Sequence, residues 1–94
     1  MHLTGRAREA GVPVTLQDGL VQYCAARRPM GGFLTAVVRN DLAGAVGRAD
    51  PVSMVALAGI IQFLHNYAPA PCWGSPIIVD AWLMDPNPVR ENYD

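Results

Sequence analysis

The segment that most limits the fold begins at Asp50-Pro51. An aspartate before a proline is a helix start: the carboxylate can cap free backbone N–H groups, and proline suits the first helical position. From there Val52, Met54, Ala56, Leu57, Ile60, Ile61, Phe63, Leu64 and Tyr67 cover most of the circumference of a helix over about 51–67. Val55, Gly59, Gln62 and Asn66 form the one softer stripe. A helix apolar nearly all round is either central in its domain or covered on one side by another subunit. In a chain of 94 residues the other elements must then wrap around it. The expected fold is a single all-α domain, a small bundle of four helices at about 16–28, 32–48, 51–67 and 76–84, the last one short. A weakly ordered arm over 1–11 and an extended tail over 85–94 are expected to flank it.

Punctuation along the chain sets the other helices. Thr15 reads as an N-cap with Asp18 at the third helical position, followed by Leu16, Leu20, Tyr23 and Cys24 at helical spacing. Arg27 and Arg28 suit the last turn, where cations complement the helix dipole, and Pro29 ends the helix. The second helix follows Gly31-Gly32. At 100° per residue, Phe33, Leu34, Val37, Val38, Leu42, Ala45 and Ala49 share half its circumference, and Asp41 and Arg48 fall inside that half. Arg39 falls outside it and Asn40 at its margin. Gly44 and Gly47 each weaken the helix by about 1 kcal/mol, so a break near Gly44 is the alternative to one continuous helix. Ser75-Pro76 repeats the cap-and-proline signal. The short helix behind it carries Ile77, Ile78, Val79, Ala81, Trp82, Leu83 and Met84, with Asp80 its one polar residue. Nine residues cannot bury all those faces inside one small domain, so Ile77, Ile78 and Trp82 are read as an interface with another subunit or partner, with Trp73 and Trp82 reading equally well as the side chains that lock this helix onto the helix over 51–67.

Composition narrows the function classes. No apolar stretch approaches the length of a membrane span, and Met1 to Gly11 lacks the apolar core of a secretory signal. A cytoplasmic protein with no membrane partner is therefore expected. A net charge of −1 suits neither direct nucleic-acid binding through phosphate neutralisation nor mimicry of DNA. Cys24 and Cys72 form no CxxC pair, and neither His2 nor His65 stands at ligand spacing to them. No metal or other cofactor is expected, and the thiols read as small core residues. No carboxylate pair or Ser-His-Asp set suggests hydrolysis, and His65 has no identifiable nucleophile to serve. A non-enzymatic role is expected.

The residues that suggest binding are Gly31, Gly32, Asn40, Asp41, Arg48 and Trp73. A glycine pair ahead of a helix can present free N–H groups to a phosphate or carboxylate, or can simply form the turn after Pro29. Asp41 and Arg48 on an apolar face each need a partner, because an unpaired buried charge costs several kcal/mol. The partner is each other across a break at Gly44, a neighbouring helix end, or a small anionic ligand with Arg48 as bidentate donor. Arg27, Arg28 and Arg39 are read as exposed, either ordinary surface or a modest anion patch. Trp73 offers a face on which a nucleobase can stack, or it locks the last helix in place.

Pro29, Gly31-Gly32-Phe33-Leu34, Ala36-Val37, Asn40-Asp41-Leu42 and Arg48-Ala49-Asp50 make up a joint pattern with Ala68-Pro69, Cys72-Trp73-Gly74-Ser75-Pro76 and Ala81-Trp82-Leu83. Across about residues 13–83 this pattern resembles a widespread group of small uncharacterised phage and prophage proteins. In that group charged residues tend to follow the Ser-Pro pair, where this chain has Ile77 and Ile78. The resemblance implies a phage-encoded binding protein that antagonises bacterial host defence in the host cytoplasm. Its first form is a sponge that sequesters a cyclic-nucleotide-type immune signal. The alternatives are a protein–protein inhibitor of a host defence complex, as anti-CRISPR proteins are, and an accessory protein of phage DNA metabolism or regulation. The partner is accordingly a small anionic nucleotide or a host defence protein, and a homo-oligomer is expected.

Overall fold

A computed structural model of the chain describes residues 3–89. Among them it is all-helical: α1 (Leu3–Glu9), α2 (Val14–Ala26), α3 (Gly32–Val38), α4 (Leu42–Arg48), α5 (Pro51–Tyr67), a 3-10 turn at Ala70–Cys72, and α6 (Pro76–Met84). The all-α expectation holds, but the four-helix count does not: six α-helices are present. No helix among the described residues is long and apolar enough to cross a membrane.

The two proline-marked starts are where the sequence puts them. Asp50 Oδ1 accepts the Ser53 amide at 2.7 Å, and hydrogen bonds from Ser53 hold the Asp50 carboxyl below its ordinary value. Its negative charge therefore stays at the positive end of α5. Ser75 Oγ accepts the Ile78 amide at 3.2 Å and opens α6.

Three expectations are corrected. The first concerns the arm over 1–11. Residues 3–9 form α1, with Leu3 and Ala7 wholly buried. Two apolar anchors one turn apart are too few for a periodic pattern, yet they are enough to dock one face of a two-turn helix. Met1 and His2 lie outside the described residues.

The second concerns the helix over 32–48, which is two helices broken at Asn40 rather than Gly44. Asn40 takes a left-handed φ of 61°. Its N–H donates to Val37 O at 3.0 Å and that of Asp41 to Ala36 O at 2.9 Å, the paired bonds of a Schellman stop. Asp41 then caps the next helix, its Oδ1 accepting the Gly44 amide at 3.0 Å. A helical projection carried through Asn40 mislays everything after it. In the folded chain Asp41 and Arg48 are both exposed, so no buried charge demands a partner.

The third concerns α2, which starts at Val14, so Thr15 is inside it and Pro13 O accepts the first helical amides. It ends one residue before Arg27, which adopts a left-handed φ of 58° and closes the helix with its N–H donated to Tyr23 O at 3.0 Å, the single bond of an αL stop.

The core collects Leu3, Leu20, Tyr23, Val38, Ile60, Phe63, Leu64 and Val79 with both cysteines, all essentially without solvent exposure. α5 supplies its inner side from Ser53, Ala56, Ile60, Phe63 and Leu64. Three polar ties cross the core. The Tyr23 hydroxyl donates to Cys72 O, the Trp82 indole Nε1 donates to Tyr23 O at 2.9 Å, and the Gly74 amide donates to Val38 O at 2.7 Å. No buried side-chain nitrogen or oxygen among the described residues lacks a hydrogen-bond partner. Residues 85–89 are non-helical and are tied to the body of the fold: Asp85 and Asn87 bind Arg27, and Val89 packs on the core. Residues 90–94 lie outside the described part.

Candidate functional site

α3 and α4 form an antiparallel hairpin whose turn is Asn40-Asp41, and this hairpin distributes the residues singled out for ligand binding. At its open end, Gly31 caps α3 and Gly32 lies beneath the Arg48 side chain. A Cβ at Gly32 would meet Arg48 Cδ at 3.0 Å, a contact that the exposed arginine can relieve by a small shift. Arg48 Nη1 donates to Gly44 O at 3.2 Å, satisfying a carbonyl of its own helix. Asn40 and Asp41 stand at the turn end. The seven residues of α3 put about 10 Å between the two ends.

Asp41 and Arg48 both reach Gly44, one taking its amide and the other its carbonyl, but they form no ion pair with each other. Gly44 has to be glycine for this: a Cβ would strike the Asp41 carboxylate and come within 3.1 Å of Arg48 Nη1. The two glycines of α4 should therefore respond oppositely to alanine. Gly47 has open space around its Cβ position, so Gly47→Ala should stabilise by about 0.5–1 kcal/mol. Gly44→Ala gains the same propensity but gives up a cap of about 1 kcal/mol, so it should bring no gain or a net loss. Thermal melts distinguish them, since 1 kcal/mol moves Tm by roughly 4–8 °C in a domain of this size.

Asn40 and Asp41 share a recess. It is a depression of about 110 Å³ shared with Leu42, Leu57 and Ile61. Ligand pockets usually run to about 300–1,000 Å³, so this one does not enclose a nucleotide. Trp73 is half-buried beside the C-terminal end of α3, held there through the Gly74–Val38 bond. A larger groove, about 580 Å³, runs between the α1–α2 turn and the first half of α5. Its walls are Ala10, Pro13, Pro51, Val52, Val55 and their glycine and alanine neighbours, with no charged side chain to hold a phosphate.

The arginine patch also dissolves. Arg39 Nη1 pairs with Asp80 Oδ1 at 3.0 Å. Arg27 is the residue that sequence reasoning most misjudged: its side chain is 12% exposed and lies 4.0 Å over the Trp82 ring. Its Nε donates to Asn87 O at 2.9 Å, Nη1 to Trp82 O at 3.2 Å, and Nη2 stands 3.3 Å from Asp85 Oδ2. Arg27 thus fastens the end of α2 to the end of α6. A sequence signal was available in part, since Arg27 stands before Arg28-Pro29 where the helix must stop, but its partners lie some 60 residues away.

No protein-family model, curated protein or solved structure matches the chain.

The chemistry the site can perform therefore follows from its own geometry. Cys24 and Cys72 are buried free thiols. A hydrogen bond with Cys72, and then burial, push the Cys24 thiol well above its ordinary value, which keeps it in the unreactive protonated form. Burial, and behind it the Cys72 thiol, likewise raise the Tyr23 hydroxyl. Metal-like groupings of three or more His, Cys, Asp or Glu do not occur among the described residues.

The interface candidates separate in the same way. Trp82 is not on an outer face: it is 5% exposed, seated in the core by its indole bond. The reason is rotational. α6 turns Val79 and Trp82 inward and Ile77, Ala81 and Met84 outward, so apolar character all round the helix serves two different sides. Ile77 and Met84 are 82% and 81% exposed, and Ile78 lies at the border of this outer strip. The Arg39–Asp80 pair stands beside it.

Proposed function

We propose that this protein is a small non-enzymatic binding protein that works without a cofactor, through protein–protein contact made by the outer strip of α6. In the phage setting that the resemblance implies, its partner is a component of a host defence complex in the bacterial cytoplasm. The observation that carries this reading is Ile77-Ala81-Met84: three apolar residues at one-turn spacing, turned to solvent by a helix whose other side is fully engaged in the core. Exposed large apolar side chains in a row mark interaction sites more often than single exposed residues do. The neighbouring Arg39–Asp80 pair supplies charge of both signs at the rim, where it fixes orientation.

The competing reading, capture of a small anionic nucleotide by Gly31, Gly32, Asn40, Asp41, Arg48 and Trp73, has less behind it. Those six residues stand at separate ends of the α3–α4 hairpin, and the recess two of them share is small. Differential scanning of the protein with a panel of cyclic nucleotides at 100 micromolar should leave Tm unchanged. A rise would signal ligand linkage and return the nucleotide reading to first place.

The direct test uses surface variants. Tagged wild-type protein expressed in a bacterial host should capture one defence complex, and Ile77→Asp combined with Met84→Asp should lose it at unchanged Tm. Capture that survives the double variant sinks the α6 reading. Capture of a replication or regulatory complex would move the protein to the accessory class.

A further inference from the structure

The α6 strip leaves the outer side of α5 unaccounted for, and that side is apolar too. Pro51–Tyr67 contains no Asp, Glu, Lys or Arg. With its inner side in the core, α5 turns Met54, Val55, Ala58, Ile61 and Gln62 to solvent, Val55 being 87% exposed. The surface continues on both flanks. On one, Ile61 shares a recess with the exposed Leu42 of α4. On the other, Val52 and Val55 border the 580 Å³ groove, whose far wall includes Pro13, next to the exposed Val14.

We infer that a second copy of this chain covers this face, pairing α5 with α5 about a two-fold axis. Three features favour self-association over a different partner. A two-fold interface needs one surface to hold both knob and recess, and here the exposed Val55 stands at the edge of an empty apolar groove. Along α5 itself the two copies meet with no like-charge repulsion and no charge to desolvate, Asp41 of the Leu42 recess belonging to the polar rim, and the whole chain carries a net charge of only −1. The area also suffices. A 17-residue helix is about 25 Å long. With its flanks the face is roughly 25 Å wide on a molecule of 35 × 27 × 19 Å, which gives on the order of 600 Å² per protomer and reaches the lower limit of stable interfaces. His65 and Asn66, both exposed, supply polar rim at the end of the helix.

This inference is independent of the α6 reading, and one set of variants separates the two. Sedimentation velocity from 1 to 500 micromolar should show the wild type converting to twice the 10.1 kDa chain mass. Val55→Glu places two facing carboxylates at the seam. It should weaken the dimer by at least about 100-fold while leaving helical circular dichroism intact, because Val55 touches little of its own fold. Ile77→Asp should dimerise as the wild type does. A wild type monomeric throughout the range overturns the inference. So does a Val55→Glu protein that dimerises normally, which would place self-association elsewhere. A monomer whose captured partner is lost on Val55→Glu, but not on Ile77→Asp, assigns the α5 face to that partner and overturns both readings.

Discussion

Trp82→Ala should cost about 3–5 kcal/mol, much of the roughly 5–15 kcal/mol by which a domain of this size is stable. Three losses coincide. The ring fills space between α2 and α6, beside Tyr23 at 6.3 Å between centroids. Its Nε1–H leaves Tyr23 O, and Arg27 loses the aromatic face beneath its guanidinium. Trp82→Phe separates these contributions. It keeps most of the ring and gives up the indole bond, and Tyr23 O retains the Arg27 amide at 3.0 Å, so about 1–2 kcal/mol should be lost. Urea unfolding measures both. A Trp82→Ala protein as stable as the wild type would mean that Trp82 sits outside the core, and would restore it as an interface residue.

The second large effect is expected at Gly59→Ala. On most helices that change is stabilising, because alanine is the better helix former by about 1 kcal/mol. Here a Cβ would run into the carbonyl oxygen of Ala10, which is backbone and cannot swing aside. Bare backbone at Gly59 is what lets the end of α1 lie directly on α5. Alanine must push the α1–α2 turn away, so a net loss of about 1–3 kcal/mol is expected, the range of core overpacking. The damage should be local. Hydrogen exchange should quicken in residues 3–12 while the middle of α5 keeps its protection. A rise in Tm for Gly59→Ala would contradict the docking of α1 described above.

Gly59 also shows why part of the fold was legible in the sequence and part was not. The local signals carried by proline read correctly, whereas the Thr15-Asp18 capping pattern did not, because α2 begins at Val14. Asp50-Pro51 and Ser75-Pro76 each encode a helix start in two residues, and both helices begin and end where that grammar puts them. Signals that depend on distant partners did not read. Nothing in residues 3–9 shows that Leu3 and Ala7 become buried, and Gly59, which lets the Ala10 carbonyl at the end of α1 lie on α5, is some 50 residues away. Asn40 is an intermediate case. A left-handed asparagine followed at once by a capping aspartate is a recognisable stop and start. Gly44 drew attention instead, although its role is to let Asp41 and Arg48 close on α4 from both ends.

The candidate site suffered more, because its logic rested on the helix being continuous. Once the chain turns at Asn40, Asp41 and Arg48 leave the apolar side and become the two ends of a short exposed helix. The arginines misled for a different reason. A charge count predicts solvent exposure, but guanidinium stacks on rings and binds carbonyls, and Arg27 does both. The apolar residues of α6 divide between two sides, with Ile77 turned to solvent and Trp82 taking the inward of the two roles open to it, that of locking α6 in place.

Native mass spectrometry of the protein isolated from an infected host weighs the bound species itself. The chain should appear in complex with a polypeptide, free of any nucleotide adduct, and an Ile77→Asp, Met84→Asp protein should emerge without that polypeptide. A nucleotide-sized mass on the wild-type chain, retained in the double variant and lost in Arg48→Ala, would contradict the α6 reading.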